Sequence, residues 1–251
     1  MKDATKRRFI FFGGLAAIAA GWQVAPGLFD RLSSDFDFEP LDDPSGFRKI
    51  SGGDVSASFD VFAGINTGPT RDLSVMESLV AQDLEAALFA GRRRHDVVQV
   101  AYFSDFYCPY CRILSIDLIA ASSAENIDIT WHEVPLFGEP SVLAARAAIA
   151  AGAQGAYVPF HDALVSRPVV VSRPYLARMV DDLGLNQVQF WSDFDSKETQ
   201  EKLDRAKVLF DRFRLIGTPG MVVGRTLVQG RISPTNLRQL IAREEADENL
   251  G

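Results

Sequence analysis

Cys108 and Cys111 are the two cysteines of this 251-residue chain, and they stand in the run Phe103-Ser104-Asp105-Phe106-Tyr107-Cys108-Pro109-Tyr110-Cys111-Arg112. A disulfide between them would close a very short loop, which removes little entropy from the unfolded chain and stabilises a fold weakly. At a helix start, the same spacing sets Cys108 against N–H groups that have no partner inside the helix. The helix dipole there also favours a thiolate. The chemistry this pair can do is thiol–disulfide exchange. Cys108 is the candidate nucleophile, with a thiol pKa that can fall from about 8.5 to roughly 3.5–7.5 in such a setting. Cys111, one turn deeper, would resolve the mixed disulfide. The alternatives are a structural disulfide and half of a zinc site. Structural zinc is almost always held by four ligands, and His95, His132 and His161 lie in three different elements. No metal and no organic cofactor is expected.

The elements that must position this pair can be read from pattern. Val97 to Phe103 is an apolar run and reads as a buried strand. Cys108 to Ala121 reads as a helix with Pro109 in its first turn, where the missing N–H is not needed. Ile127 to His132 alternates strictly and reads as a half-buried strand. Strand, helix and strand of these lengths imply a βαβ unit with parallel strands. Helical patterns follow over Val142–Ala151, Tyr157–Val165, Arg173–Leu183 and Ser196–Leu215. Then Gly217-Thr218-Pro219-Gly220 leads into a hairpin, Met221–Val223 and Thr226–Val228, whose turn Gly224-Arg225 suits type II′. Ser233-Pro234 caps a last helix that turns Leu237, Leu240 and Ile241 inward. Upstream, Ser74 and Glu77 predict a capping box at the head of one amphipathic helix running through Leu88.

Hydrophobic residues make up 47% and charged residues 24% of the chain, an ordinary globular composition. The formal net charge is −7, although Lys2, Lys6, Arg7 and Arg8 gather at the N-terminus. The rest is therefore more acidic than the whole, which argues against nucleic acid and anionic membrane surfaces as partners. Arg7-Arg8 precedes an uncharged stretch from Phe9 to Phe29, the pattern of an export signal and similar to a twin-arginine signal. About 20 apolar residues span a bilayer, so residues 1–29 read as an export signal or, if uncleaved, a membrane anchor. Either places the body in an oxidising, periplasm-like compartment. Residues 30–53, rich in Asp, Ser, Pro and Gly, read as a linker. Residues 54–96 read as an N-terminal extension with one amphipathic helix. Residues 97–250 form the cysteine-bearing domain, with a helical insertion over about 138–195.

The runs Phe103-Ser104-Asp105-Phe106, Cys108-Pro109-Tyr110-Cys111 and Gly217-Thr218-Pro219 resemble motifs of the DsbA-like family of exported thiol–disulfide oxidoreductases, over about residues 97–245. That resemblance implies an α/β thioredoxin fold with a helical insertion between the second strand and the cis-proline strand. The roughly 85 residues from Glu133 to Thr218 leave room for it. It implies that Cys108 and Cys111 are catalytic and that Pro109 and Tyr110 tune the site. It also implies a cis Thr218–Pro219 bond that brings Thr218 beside Cys108, its backbone pairing with a substrate strand and its hydroxyl meeting the sulfur. Family members often carry a buried acid six residues before the first cysteine, a position held here by Tyr102. Asp105 reads as a strand-end or turn residue, Trp131 as core, and His132 with Glu133 as a surface pair. The implied partners are protein substrates bearing thiols or disulfides, and a redox partner that resets the site. Oxidase, reductase and isomerase directions all stay open, and a peptide-binding module with a structural disulfide is the rival of another class.

Overall fold

Seven consecutive buried residues, Val98–Ser104, form the strand on which the site is built. The computed structural model describes residues 36–57, 71–91, 94, 96–166 and 169–248. Along these the elements are β1 (Glu39–Pro40), β2 (Arg48–Ile50), α1 (Ser74–Gln82), α2 (Leu84–Leu88), β3 (Val98–Ser104), α3 (Pro109–Ala124) and β4 (Ile127–Glu133). There follow α4 (Glu139–Ala153), α5 (Tyr157–Val165), α6 (Arg173–Asp182), α7 (Gln187–Phe194), α8 (Lys197–Arg212), β5 (Gly220–Val223), β6 (Thr226–Gln229) and α9 (Pro234–Glu248). The sheet order is β1-β2-β6-β5-β3-β4. β3 and β4 are parallel, in register from Val98 opposite Ile127 to Ser104 opposite Glu133. β5 is antiparallel to both β3 and β6, so the predicted βαβ unit and hairpin share one sheet.

Successive residues of β3 face opposite sides, as the strand period requires. Ala101 and Phe103 join an apolar cluster with Leu209 and Phe213 from the α8 side and Val80 and Leu88 from α1 and α2. Tyr102 points the other way, to α3. The insertion α4–α7 builds its own core. Phe160, Phe190, Phe194, Leu176 and Val180 pack around an alanine-rich α4, whose small side chains let neighbouring helices come close. α7 is not among the helices expected above; it is a short helix that Asn186 caps by accepting the Gln189 N–H, and its Phe190 and Phe194, one turn apart, are buried.

Three expectations require correction. Residues 38–53 are not a linker: β1 and β2 extend the sheet, β2 lying parallel to β6 with Arg48 opposite Thr226. Two- and three-residue strands carry no readable alternation, and long-range polar contacts hold them. Arg48 donates to Thr226 Oγ1 at 2.8 Å and pairs with Glu244 at 2.6 Å and Asp247 at 2.7 Å. The same Glu244 receives the Arg225 N–H and lies 2.3 Å from where a Cβ on Gly224 would stand. Glycine suits that turn through its φ of 55°, and a Cβ there would push the Glu244 carboxylate off the Arg225 N–H.

The second correction is that the helix over 74–88 is two. Asp83 interrupts it and caps α2 by accepting the Ala86 N–H at 2.9 Å. Third, Ser74 is not a cap, because Asp72 accepts the Ser74 N–H at 2.9 Å and the helix already includes Ser74, starting one residue earlier than a capping box would place it. The Ser233 cap does form, accepting from Asn236 N–H at 3.1 Å.

The described residues from Phe38 onward form one compact unit. Residues 1–29, the expected signal or anchor, lie outside the described residues, as does His95. Among the described residues no helix is long and apolar enough to cross a membrane.

Candidate active site

β3 ends at Ser104 and the chain turns through Asp105, Phe106 and Tyr107 before α3 begins. Buried Asp105 fixes this turn rather than merely ending a strand. Its carboxylate accepts N–H bonds from Tyr107 at 2.7 Å and Leu136 at 2.6 Å, and the Ser141 hydroxyl at 2.9 Å. Its backbone carbonyl accepts the Cys108 N–H at 3.1 Å. Burial pushes the Asp105 carboxyl up, and its hydrogen-bond donors offset only part of that rise. One residue further, the Tyr107 hydroxyl donates to Val169 O at 3.1 Å and accepts from Val171 N–H at 2.7 Å. The cysteine loop is thereby tied to the helical insertion.

Cys108 is the N-cap of α3, with extended backbone, and Pro109 follows in the first turn. Its sulfur accepts the Cys111 N–H at 3.1 Å, one of the donors a helix start leaves without an internal partner. The Cys108 thiol also donates to the carbonyl of Thr218 at 3.3 Å. Both cysteines are free thiols and both are buried. The Cys108 thiol is pulled down to about 6, chiefly by its hydrogen bond with the Cys111 side chain, against burial. The Thr218 and Ser56 side chains and the Cys111 N–H add to the lowering. Burial pushes the Cys111 thiol well up, and the hydrogen bond to Cys108 and its charge push the same way.

Thr218–Pro219 is cis, as is Asp43–Pro44. The Pro219 carbonyl accepts from Gly230 N–H at 2.8 Å. Thr218 is fully buried; its carbonyl meets the Cys108 sulfur, and its hydroxyl, without a well-aligned partner, faces the two thiols. The structure therefore gathers Cys108, Cys111 and Thr218. Pro109 is exposed and Tyr110 half-buried, away from that contact.

Behind Cys111 lies a buried polar layer. Tyr102 donates to the Cys111 carbonyl at 3.1 Å, and the Ser115 hydroxyl bridges Tyr102 and His161 Nε2, each at 3.4 Å. Burial holds the His161 ring neutral, its pKa pushed down to about 3, and its Nδ1 has no partner. Trp131 packs over the His161, Tyr157 and Tyr102 rings at 4.6, 5.3 and 5.5 Å.

His132 and Glu133 are not a surface pair. They are 5% and 2% exposed, because α5 and α2 cover this end of β4. His132 Nε2–H donates to Leu88 O at 2.7 Å, and burial pushes its pKa down to about 4. Burial pushes Glu133 up to about 8, against the Tyr157 hydroxyl that donates to Oε1 and the Ser104 side chain nearby, while Oε2 has no well-aligned partner. Among the described residues no group of three or more metal-ligating side chains converges.

Sequence reasoning did not find Ser56. It forms an antiparallel bridge with Thr218, and nothing in its local sequence signals that long-range contact.

The DSBA-like thioredoxin domain model matches residues 99–242. The chain belongs to this family of DsbA-like thiol–disulfide oxidoreductases, and its fold is the family's thioredoxin-like fold. Among solved structures it is similar to a thioredoxin-like oxidoreductase from Silicibacter pomeroyi DSS-3. That match has 29% identity, covers 64% of this chain and 98% of the other, and has a TM-score of 0.59. The thiol-disulfide exchange protein alpha-DsbA2 from Wolbachia pipientis matches at 19% identity over 70% of this chain and 99% of its own, with a TM-score of 0.59. A periplasmic thioredoxin-like protein from Salmonella enterica serovar Typhimurium matches at 22% identity, 65% and 96% coverage and a TM-score of 0.57. None of the curated proteins matches the chain.

Proposed function

We propose that the chain is an exported thiol–disulfide oxidoreductase that acts on cysteines of protein substrates through its Cys-Pro-Tyr-Cys site. The observation that carries this reading is the placement of two thiols one helical turn apart, Cys108 capping α3 with its sulfur on the Cys111 N–H and Cys111 buried behind it. That placement draws the Cys108 thiol down to about 6 and pushes the Cys111 thiol well above its ordinary value. At neutral pH the first is mostly thiolate, the attacking form, while the second keeps its proton. Family membership and the oxidoreductase at 29% identity support it.

In the oxidising direction a client thiolate attacks the Cys108 sulfur of the Cys108–Cys111 disulfide. That S–S bond breaks and Cys111 leaves as a thiolate that takes up a proton. The client's second thiolate then attacks its own sulfur in the mixed disulfide, and Cys108 leaves as a thiolate. The client gains a disulfide and the protein holds two reduced cysteines. A redox partner restores the disulfide by the same exchange reversed. Stabilising the Cys108 thiolate stabilises the reduced protein and makes its disulfide the stronger oxidant, which favours this direction over reduction or isomerisation. Thr218 and Pro219 form the wall on which a client strand lies, Pro109 and Tyr110 tune the thiolate, and residues 1–29 direct export or anchor the protein.

The test is the thiolate absorbance of the reduced protein against pH. A transition near pH 6 is expected. It should vanish in Cys108→Ser and survive in Cys111→Ser, where a hydroxyl keeps a donor beside the sulfur. A single transition near about 8.5 overturns the reading and leaves a structural cysteine pair.

A further inference from the structure

A thiol that exchanges with clients must be reached by a second sulfur, yet Cys108 and Thr218 are both 0% exposed. What lies against them is the chain's own segment ahead of the first helices. Gly52 and Gly53 lie so close to the end of β6 and the loop after it that a Cβ on either would stand 1.4 Å from Gln229 O or 2.0 Å from Arg231 O. Arg231 N–H donates to Asp54 O at 3.1 Å. Ser56 and Thr218 then exchange two backbone hydrogen bonds, Ser56 N–H to Thr218 O at 2.6 Å and Thr218 N–H to Ser56 O at 2.9 Å. Gly217 admits this approach, since a Cβ there would be 2.6 Å from Ser56 O. Directly opposed antiparallel residues turn their side chains to the same face, so Ser56 shares the face of the Thr218 hydroxyl, and its side chain helps to lower the Cys108 thiol.

This is how an extended peptide binds an open strand edge, with backbone bonds supplying affinity and one side chain placed at the site. The side chain placed at the Cys108 sulfur is a serine, which differs from cysteine by oxygen in place of sulfur. It fills the position of a client cysteine and cannot form a disulfide. We propose that Gly52–Ala57 is a pseudosubstrate strand bound in cis, with Ser56 at the place of the client's reactive cysteine, and that a client strand enters by displacing it. The proposal rests on the reading above, in which clients pair with Thr218. Displacement is easy because residues 51–57 are otherwise exposed or half-buried. A client strand offering the same N–H and C=O replaces the bonds one for one, so little net hydrogen bonding is lost.

The geometry is tested by trapping. In the Ser56→Cys, Cys111→Ser double variant, oxidised glutathione first forms a mixed disulfide on Cys108, releasing one reduced glutathione. The thiol at position 56 then attacks the Cys108 sulfur and expels the second. Peptide mapping should find residues 56 and 108 bridged in most molecules at a rate independent of protein concentration, while Cys111→Ser alone keeps its glutathione adduct. A persistent adduct in both proteins overturns the proposal.

The consequence is tested by Ser56→Pro, which removes the N–H donated to Thr218. Its kcat/KM for a cysteine-containing peptide should rise roughly threefold to tenfold. Exchange by the parent protein with no gain in Ser56→Pro overturns the pseudosubstrate alone. No exchange by either protein overturns the reading it rests on.

Discussion

The two sides of β3 bury their residues in opposite ways. On the side of α8, Ala101 and Phe103 meet Leu209, Phe213, Val80 and Leu88, an apolar cluster. On the side of α3 and the insertion, Tyr102 bonds the Cys111 carbonyl, Ser115 links Tyr102 to His161, and Tyr157 bonds Glu133, a buried layer of polar groups. The first side is organised by close packing and its loss of water contact. The second sets acidities, because burial there penalises every charged form it contains. It raises Cys111 and Glu133 and lowers His161. Cys108 escapes by standing at the helix end, where donors reach it. A two-thiol site needs such an asymmetry, one sulfur held in polar contacts and one kept dry.

The contrast predicts a different failure on each side. Leu209 is 0% exposed, so Leu209→Ala removes apolar contacts and leaves a cavity. A loss of about 3–5 kcal/mol is expected, read as a shift in the urea midpoint with the slope unchanged. The Cys108 titration should stay near pH 6 in the folded variant. A moved titration would mean that the apolar side also sets the acidity of the site.

Most of the site was legible in the sequence because its residues announce themselves. Cys-Pro-Tyr-Cys and Gly-Thr-Pro are short motifs in local structures that follow from helix starts and turns, and β3, α3, α5 and the β5–β6 hairpin carry clear period or turn chemistry. What escaped depends on distant partners. The strict alternation of β4 predicts a half-buried strand, and it cannot say that α5 covers the far end and encloses His132 and Glu133. β2 is a strand because β6 and Glu244 accept it, not because Arg48-Lys49-Ile50 favours one. Ser56 has no local signature, and its place follows from Gly52, Gly53 and Gly217 letting two backbones touch. Asp105 was readable as a turn residue, while the three donors that converge on it come from Tyr107, Leu136 and Ser141.

The polar side should be visible in the pH dependence of stability. Glu133 has a folded pKa of about 8 against an unfolded value near 4.5. The folded state therefore holds more protons between these values, and stability falls as pH rises from about 4.5 to about 8. At roughly 1.4 kcal/mol per unit, lessened by relaxation around the ionised group, a decline of about 2–3 kcal/mol is expected. Glu133→Gln removes the proton and should flatten this limb in urea titrations run across that window. The two buried histidines act in the other direction. Their folded values of about 4 and 3 lie below the ordinary 6.5, so stability is lost as pH falls below about 6.5. An unchanged slope in Glu133→Gln would remove Glu133 from the titrating layer.

The smallest effect separates a layer that merely fills space from one that holds the site. The Tyr102 hydroxyl donates to the Cys111 carbonyl and takes a weak bond from Ser115. Tyr102→Phe deletes that one donor and leaves the ring packed against Trp131. A loss of about 1 kcal/mol is expected from the missing hydrogen bond. Tyr102 makes no hydrogen bond to the Cys108 sulfur, so the first attack on a disulfide should change less than about twofold, while the step in which Cys111 resolves should change more, since the turn that carries Cys111 has lost its tether. Stopped-flow exchange with a fluorescent mixed disulfide reads the two steps apart. Equal slowing of both would mean that Tyr102 supports the whole start of α3, and no change in either would reduce the polar layer behind Cys111 to packing.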